Sequence, residues 1–515
     1  MLARPHVITA ALALAACGDR RPPDDTLVMV IDAPMVTSDA RYAISNNDTK
    51  LGRLVASGLT AVDTATMEPR LDLAERYDRL DDLTYDFTLR AGITFADGTP
   101  VTAADVAWTF TSVIAKDSDA VAHKQLAERF TSVEALDARR VRFHLTAPLA
   151  TLFSDLDFGV LERAKAGPDG KFAGGIVAGA GPYILTSLGP TGATLVANPR
   201  AAGAVPKVPK VELRVVKDSS ARVLMLLGGS ADLCQNCVRL DLLGDLAAQD
   251  AVHVERGPSA LLTYLMMNTE DPQLKDPRVR QAIALALDRE AIIHAKLSDR
   301  AVVATGLLPP DLWAYRGDVA RWPHDPARAR ALLDEAGVRD PDGAGPEPRL
   351  RLTYKTSSDA FRLAIARVIA AQLADVGIEV EVRAFEFATF FADVKKGQFQ
   401  LASMQTSDIT EPDYLYTYFH SDRIPGPKNP DGGNRWRYRN ARVDALTTLG
   451  RRQLDRAARL ATYGEVQEIL ARDLPIIPLW HEDNVAITNA AVHGYTILPN
   501  ARWAGLVTTA KSPAQ

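Results

Sequence analysis

Residues 350–382 commit the chain to a sheet with parallel strands. Leu350, Leu352 and Tyr354 alternate with polar neighbours, the period of a strand. Phe361, Ile365, Val368, Ile369 and Leu373 then recur at helical spacing. Gly377 stands where a helix C-terminal glycine belongs, and Ile378, Val380 and Val382 alternate again. Strand, helix and strand in this order form a β-α-β unit, whose crossover is expected to be right-handed. A helix over 387–396 and a strand over 399–404 continue the alternation. Upstream, a helix is expected over 277–291, with Asp276 as N-cap and Pro277 at its first position. Its apolar set is Val279, Ile283, Ala286 and Leu287. The chain shows no repeat of short period, so the fold class read from pattern is α/β.

A second local unit lies at 83–106, LTYDFTLRAGITFADGTPVTAADV. Tyr85, Phe87 and Leu89 predict a half-buried strand. Asp97-Gly98-Thr99-Pro100 has turn chemistry. Thr102 and Asp105 form a capping pair for a helix carrying Val106, Trp108, Phe110 and Val113.

The first residues address the chain to the outside of the cytoplasm. One arginine, Arg4, precedes an apolar run over 7–16 that is too short to span a bilayer. Leu14-Ala15-Ala16-Cys17 resembles the cleavage and lipidation site of bacterial lipoproteins, and polar residues follow at 18–23. Residues 1–16 are therefore expected to be a cleaved leader and Cys17 the lipidated first residue. Acyl chains there would supply the several anchors that stable membrane attachment needs. No other stretch is apolar enough to cross a membrane. The 515 residues are enough for about three domain-sized units. A net charge of −5 offers no basic excess for nucleic acid.

Two further cysteines form Cys234-Gln235-Asn236-Cys237. An oxidising compartment favours a disulfide between them. A redox pair would need the motif to open a helix after a strand. Two thiolates alone lack the histidine that would complete a zinc set.

Further segments carry a resemblance: Gly181-Pro182-Tyr183; YLMMNT at 264–269; DPRVRQAI at 276–283; ALDREAI at 286–292; DPARARALL at 325–333 with Ala336-Gly337; YRNARVDAL at 438–446, with Ala441 where a proline is usual; and PIIPLW at 475–480. In this order, and with 83–106, they resemble the extracytoplasmic solute-binding proteins of ABC importers, in the peptide/nickel (oligopeptide/dipeptide-binding) group. The resemblance covers about 26–503. It implies the periplasmic-binding-protein fold: two α/β lobes joined by hinge strands, with an extra subdomain in the first lobe. On this chain it implies a first lobe of 17–57, 176–263 and 484–515, an extra subdomain of 58–175 and a second lobe of 264–483. Hinge strands are expected at 264–268 and 481–487. The implied function is capture of a short peptide, or a related polar solute, in the inter-lobe cleft and its delivery to an ABC permease. The receptor is expected to act as a periplasmic monomer, touching the membrane through its lipid alone, with no cofactor and no metal.

The resemblance also points to site residues. In peptide-binding members an Asp in a segment like Asp-x-x-Glu-Pro accepts the peptide's α-ammonium, and Asp408-Ile409-Thr410-Glu411-Pro412 stands in that place. A closed cleft strips water from the ammonium, so a carboxylate must replace it. Asp408 would equally suit a turn or the cap of a helix starting near Pro412. Thr406 occupies a position often held by Trp in those members; Trp436 is either the replacement aromatic wall or packing for the loop 420–435. Arg435 and Arg437 flank it and suit either an anionic ligand end or solvent. Asp39, Tyr42 and Asn46 fall in the segment implied to line the first lobe's side, and Tyr42 and Asn268 complete the candidate ligand set with Asp408, Glu411 and Trp436. His420 and His481 are either cleft contacts or satisfied structural histidines.

Catalytic signatures are missing: no His-Glu-x-x-His, Gly-x-Ser-x-Gly, P-loop or dinucleotide fingerprint occurs. The reading is a binding protein, not an enzyme. The alternative is a secreted enzyme or a redox lipoprotein using Cys234 and Cys237; within the first class, a non-peptide ligand such as a metal chelate stays open.

Overall fold

The computed structural model describes residues 21–513 except 64, 65, 67, 239–241, 344, 407, 408 and 428. The leader, Cys17 and Asp408 lie outside the described residues. Three sheets organise the rest. A seven-stranded sheet runs in the order Val252–Gly257, Asn484–Asn489, Leu233–Gln235, Thr26–Ile31, Lys210–Val215, Gly192–Ala197, Tyr183–Gly189. A six-stranded sheet runs Ala301–Val303, Ile476–Glu482, Leu262–Met267, Leu401–Thr406, Leu350–Ser357, Ile378–Phe385. A four-stranded antiparallel sheet, Ala74–Arg79, Thr84–Leu89, Arg140–Leu145 and Phe130–Ala135, belongs to a separate body inserted between two strands of the first sheet.

The β-α-β unit forms as its pattern requires. Leu350–Ser357 and Ile378–Phe385 pair in parallel around the helix Ala360–Ala374. Gly377 follows the helix at φ +83°, a conformation that costs glycine nothing and other residues strain. Both faces of this sheet are covered. Along Leu262–Met267, Leu262, Tyr264 and Met266 enter one core while Leu265 and Met267 enter the other. Each fully buried leucine contributes on the order of 2 kcal/mol.

Two sequence expectations change. The helix expected over 277–291 is two helices, Pro277–Ala286 and Arg289–Leu297. Leu287 turns extended and Asp288 caps the second, accepting from the backbone N–H of Ala291 at 2.8 Å. The strand Thr84–Leu89 is buried from Tyr85 onward rather than half-buried. Arg142 lies along it and holds Asp86 through two bonds of 2.7 and 2.8 Å. The capping pair forms: Thr102 and Asp105 close a reciprocal box at the start of Ala103–Ile114.

The two large sheets are joined by two backbone passes. One is 258–261, between Val252–Gly257 and Leu262–Met267; the other is the single residue Asp483, between Ile476–Glu482 and Asn484–Asn489. The hinge strand expected at 264–268 is therefore a central strand of the second sheet, pinned on both sides by Leu401–Thr406 and Ile476–Glu482.

Lys511 and the strand Thr26–Ile31 meet at the first sheet. Lys511 donates to Asp232 at 2.9 Å and to the Thr26 carbonyl at 2.7 Å, both charged side chains being fully buried. Asp232 also accepts from the Val28 N–H at 2.8 Å and the Asn489 amide at 2.6 Å. Lys511→Met leaves this carboxylate buried without its counter-ion. We expect it to destabilise the protein by about 3–5 kcal/mol, read as a lowered urea midpoint; an unchanged midpoint would reject this account of the N-terminal strand's anchorage.

Candidate functional site

The segment from 401 to 439 begins as an inner strand of the second sheet and leaves it at that strand's C-terminal end. Leu401–Thr406 lies between Leu262–Met267 and Leu350–Ser357, and its last residue, Thr406, shares a 2.7 Å hydrogen bond with the Tyr418 hydroxyl. After 407 and 408 the chain turns inward: Ile409, Glu411 and Asp413 are all buried. The helix that follows is Tyr414–Phe419, with Asp413 at its N-cap.

Glu411 is held by an ion pair with Arg459, and Asp413 takes Arg451 at 3.3 Å and the Tyr463 hydroxyl at 3.4 Å. Arg129, from the inserted body, lies 3.9 Å from Asp413 and pairs with Asp155. Burial pushes the Glu411 carboxyl up to about 7, the Arg459 charge holding it lower than burial alone would. Burial lowers the Arg129 guanidinium in turn. Glu411 is thus spoken for inside the second sheet's body.

Trp436 is fully buried. Its ring stacks on Tyr418 at 5.9 Å, meets Tyr264 edge-on at 5.8 Å and touches Phe419 at 5.1 Å, so it packs the loop onto the sheet. Arg435 lies over the Phe391 ring at 5.0 Å. Arg437 is tied to Glu270 at 3.7 Å and to the Lys395 carbonyl at 3.4 Å. Asn268 spends both amide protons on the carbonyls of Gly397 and Phe399, at 3.0 and 3.1 Å. On the other side, Tyr42 donates to Asp119 at 3.1 Å and Asp39 grips Arg41. Asn46 begins the helix Asn46–Val55, capped by Ser45. His420 accepts from the Asp422 N–H at 3.0 Å and lies 3.2 Å from the Thr448 hydroxyl. His481 packs at the first pass, 3.3 Å from the Leu261 carbonyl, and burial pushes it down to about 4.

Glu411, Trp436 and Asn268 therefore share one body with Thr406, the Thr269 N–H next to Asn268 donating to the Trp436 carbonyl at 2.9 Å, whereas Tyr42 packs with the inserted body; each is engaged with its own neighbours. Sequence reasoning passed over Phe387. It is 56% exposed, stacks on Phe391 at 5.9 Å and begins the helix after Ile378–Phe385, at the same sheet edge as Thr406. The i, i+4 aromatic pair Phe387/Phe391 was the available signal. Cys234 and Cys237 are joined as a disulfide, with Cα atoms 5.9 Å apart. The pair sits on a strand and the turn after it, where Asn236 takes a φ of +53°. Among the described residues no group of three His, Cys, Asp or Glu is placed to hold a metal, and no helix is long and apolar enough to cross a membrane.

Residues 68–426 match the family of bacterial extracellular solute-binding proteins, family 5 (middle region). The chain belongs to this family. Among its relatives, the probable D,D-dipeptide-binding periplasmic protein DdpA of Escherichia coli (strain K12) is 28% identical, over 93% of this chain and 92% of that one. The glutathione-binding protein GsiB of Salmonella typhi is 27% identical, over 92% of each. NikZ of Campylobacter jejuni, solved with Ni(L-His), has 23% identity and a TM-score of 0.81, covering 95% of this chain and 100% of that one. The oligopeptide-binding protein AppA of Bacillus subtilis, solved with a nonapeptide, has 25% identity and a TM-score of 0.78, covering 95% and 99%. The family-5 protein thus has the two-lobed α/β fold of periplasmic binding proteins, and it is an extracytoplasmic solute-binding protein rather than an enzyme.

The raised Glu411 carboxyl sets a pH dependence. Unfolded, the group ionises near 4.5; folded, it keeps its proton until about 7. Between those values the folded state binds the extra proton, so this group's contribution to stability is lost as pH rises through the window. His481, held below its usual value, contributes the opposite slope between about 4 and 6.5. Urea midpoints across this range should therefore fall more steeply with rising pH in the wild type than in Glu411→Gln; parallel profiles would show that Glu411 does not hold its proton.

Proposed function

We propose that this solute-binding protein is a lipid-anchored receptor that captures a short peptide between its two lobes and hands it, unchanged, to an ABC permease. The observation that carries the reading is the pair of short passes, 258–261 and Asp483, linking two otherwise separate sheets. Two bodies so joined are free to swing, and a ligand that touches both favours the closed arrangement. Peptide as the ligand class is supported by the names of relatives, a probable D,D-dipeptide-binding, a probable di/tripeptide-binding and a glutathione-binding protein. In this reading 17–57, 176–257 and 484–515 move as one lobe with the subdomain 58–175, and 262–482 as the other, so that the boundary expected at 263/264 falls instead at the pass 258–261 and the bend lies at the two passes. Cys17 carries the lipid.

Asp408 is the residue we assign to the peptide's α-ammonium. It lies two positions beyond Thr406 in the sequence, so it follows the end of a central strand. Its neighbours Glu411 and Asp413 already have counter-ions in Arg459 and Arg451, so neither competes for an incoming cation. The exposed Phe387 ring supplies an apolar surface for a ligand side chain. Calorimetry with a tripeptide and its N-acetylated form tests the assignment. The free peptide should lose about 3–5 kcal/mol of binding in Asp408→Ala, as when one partner of a buried pair is removed. The acetylated form should bind wild type and variant alike. Equal affinity of both peptides for the wild type would reject the assignment, and absence of binding by any peptide would reject the ligand class.

A further inference from the structure

A cavity lies where the inserted four-stranded body meets the second lobe. It has a volume of about 660 Å³. Its walls come from both bodies: Lys124, Glu128 and Arg129 from the insert, and Asp422, Arg423, Arg451 and Arg452 from the second lobe. Five cations thus surround one space. The carboxylates that answer them are Glu128 and Asp422 in the wall, with Asp413 and Asp155 behind it.

Those carboxylates are already committed. Glu128 takes Arg423 at 2.9 Å, Asp155 takes Arg129, and Asp413 takes Arg451 at 3.3 Å with Arg129 at 3.9 Å. Asp422 is 79% exposed and lies 3.8 Å from His420. Five positive charges against four negative ones leave the cavity cationic. Two guanidinium groups are also fixed in place. Arg451 lies 3.9 Å and Arg423 4.9 Å from the centre of the Tyr416 ring, which holds them with little freedom to lose on binding. The Arg423 Nε is buried without a hydrogen-bond partner. Thr146, Thr448 and Asn429 add neutral polar groups, Asn429 being bonded to Lys124.

We propose that this seam is a second binding site, for a small oxyanion such as phosphate or a carboxylate, and that the bound anion clamps the insert to the second lobe. Preformed guanidinium and ammonium donors converging from two bodies are the chemistry that recognises such anions. An anion there adds a bond to each body at once, so its occupancy is coupled to closure. The proposal does not rest on the peptide reading, because none of these residues belongs to the 404–411 segment.

Calorimetric titration of the full-length protein with inorganic phosphate, and separately with acetate, tests it, sodium chloride keeping the ionic strength constant. Lys124→Gln and Arg452→Gln together remove one charge from each body at exposed positions, where the fold is least affected. The wild type should show saturable binding of one or both anions and a matching rise in melting temperature. The double variant should bind at least about tenfold more weakly, the loss expected when even one of its two charge-assisted bonds is removed. Arg351→Gln, a surface arginine paired with Glu379 elsewhere on the same lobe, should bind as the wild type does. Saturation by phosphate alone assigns the site to phosphate, and by acetate alone to a carboxylate. No saturable heat with either anion at millimolar concentration, or equal affinity in the double variant, would overturn the proposal.

Discussion

The molecule depends on a contrast between dense backbone pairing inside each sheet and the near absence of it between them. At the second pass the contrast is reduced to one residue. Glu482 is the last residue of a strand in one sheet and Asn484 the first of a strand in the other, with Asp483 between. Glu482 accepts from Thr263 at 2.8 Å, from Gln405 at 2.5 Å and from the Trp480 indole at 3.1 Å, all in the second sheet. Asn484 bonds Asn236 at 2.7 Å, beside the first sheet, the carbonyls of Leu498 and Pro499, and the Pro258 carbonyl of the other pass. Each side of the pass is held within its own sheet's body, and Asp483 between them is tied to both, its carboxylate to Arg256 and its N–H to the Arg300 carbonyl at 3.0 Å. A hinge needs rigid flanks as much as it needs a flexible middle.

The same division governs the chemistry of contacts. Within each lobe the cohesion is apolar, with cores on both faces of each large sheet. Between the insert and the second lobe it is ionic: Arg129 with Asp413, Glu128 with Arg423, Glu68 with Arg456. An apolar seam of that size would make separation expensive, because its surface would meet water on opening. Charged partners are rehydrated when they part, so their net contribution is small and the seam can open. The partly buried part of the network, around Asp413, is where the seam resists most, since an unpaired buried charge is costly.

How much of this was legible in the sequence follows from the range of each interaction. Caps and strand periods act over a few residues, so Thr102 with Asp105, Asp276 with Pro277 and the β-α-β unit could be read directly. The break at Asp288 was readable in principle, since an Asp three residues before Ala291 is a cap, but the continuous apolar periodicity masked it. The burial of Thr84–Leu89 was not readable, because it depends on Arg142, which reaches it from 56 residues away. Long-range ordering of segments was carried instead by the resemblance, whose motifs fixed the fold class before any contact was known.

The site residues show the same limit more sharply. Glu411 and Asn268 both sit in motifs that resemble a ligand-binding family, yet each is satisfied within its lobe: Glu411 by Arg459, 48 residues away, and Asn268 by two carbonyls at 397 and 399. A motif records that a polar residue is needed, not which partner needs it. Trp436 makes the point from the apolar side. A tryptophan between two arginines at the end of a Gly-rich loop reads equally as a ligand wall or as packing; Tyr264, Tyr418 and Phe419 enclose it, and it packs the loop onto the sheet. Rigid support of this kind is what keeps a first layer of ligand contacts within useful distance when the lobes close. On the proposed peptide reading, the buried aromatic and the engaged carboxylate act on the ligand through the shape of the loop they hold rather than by touching it.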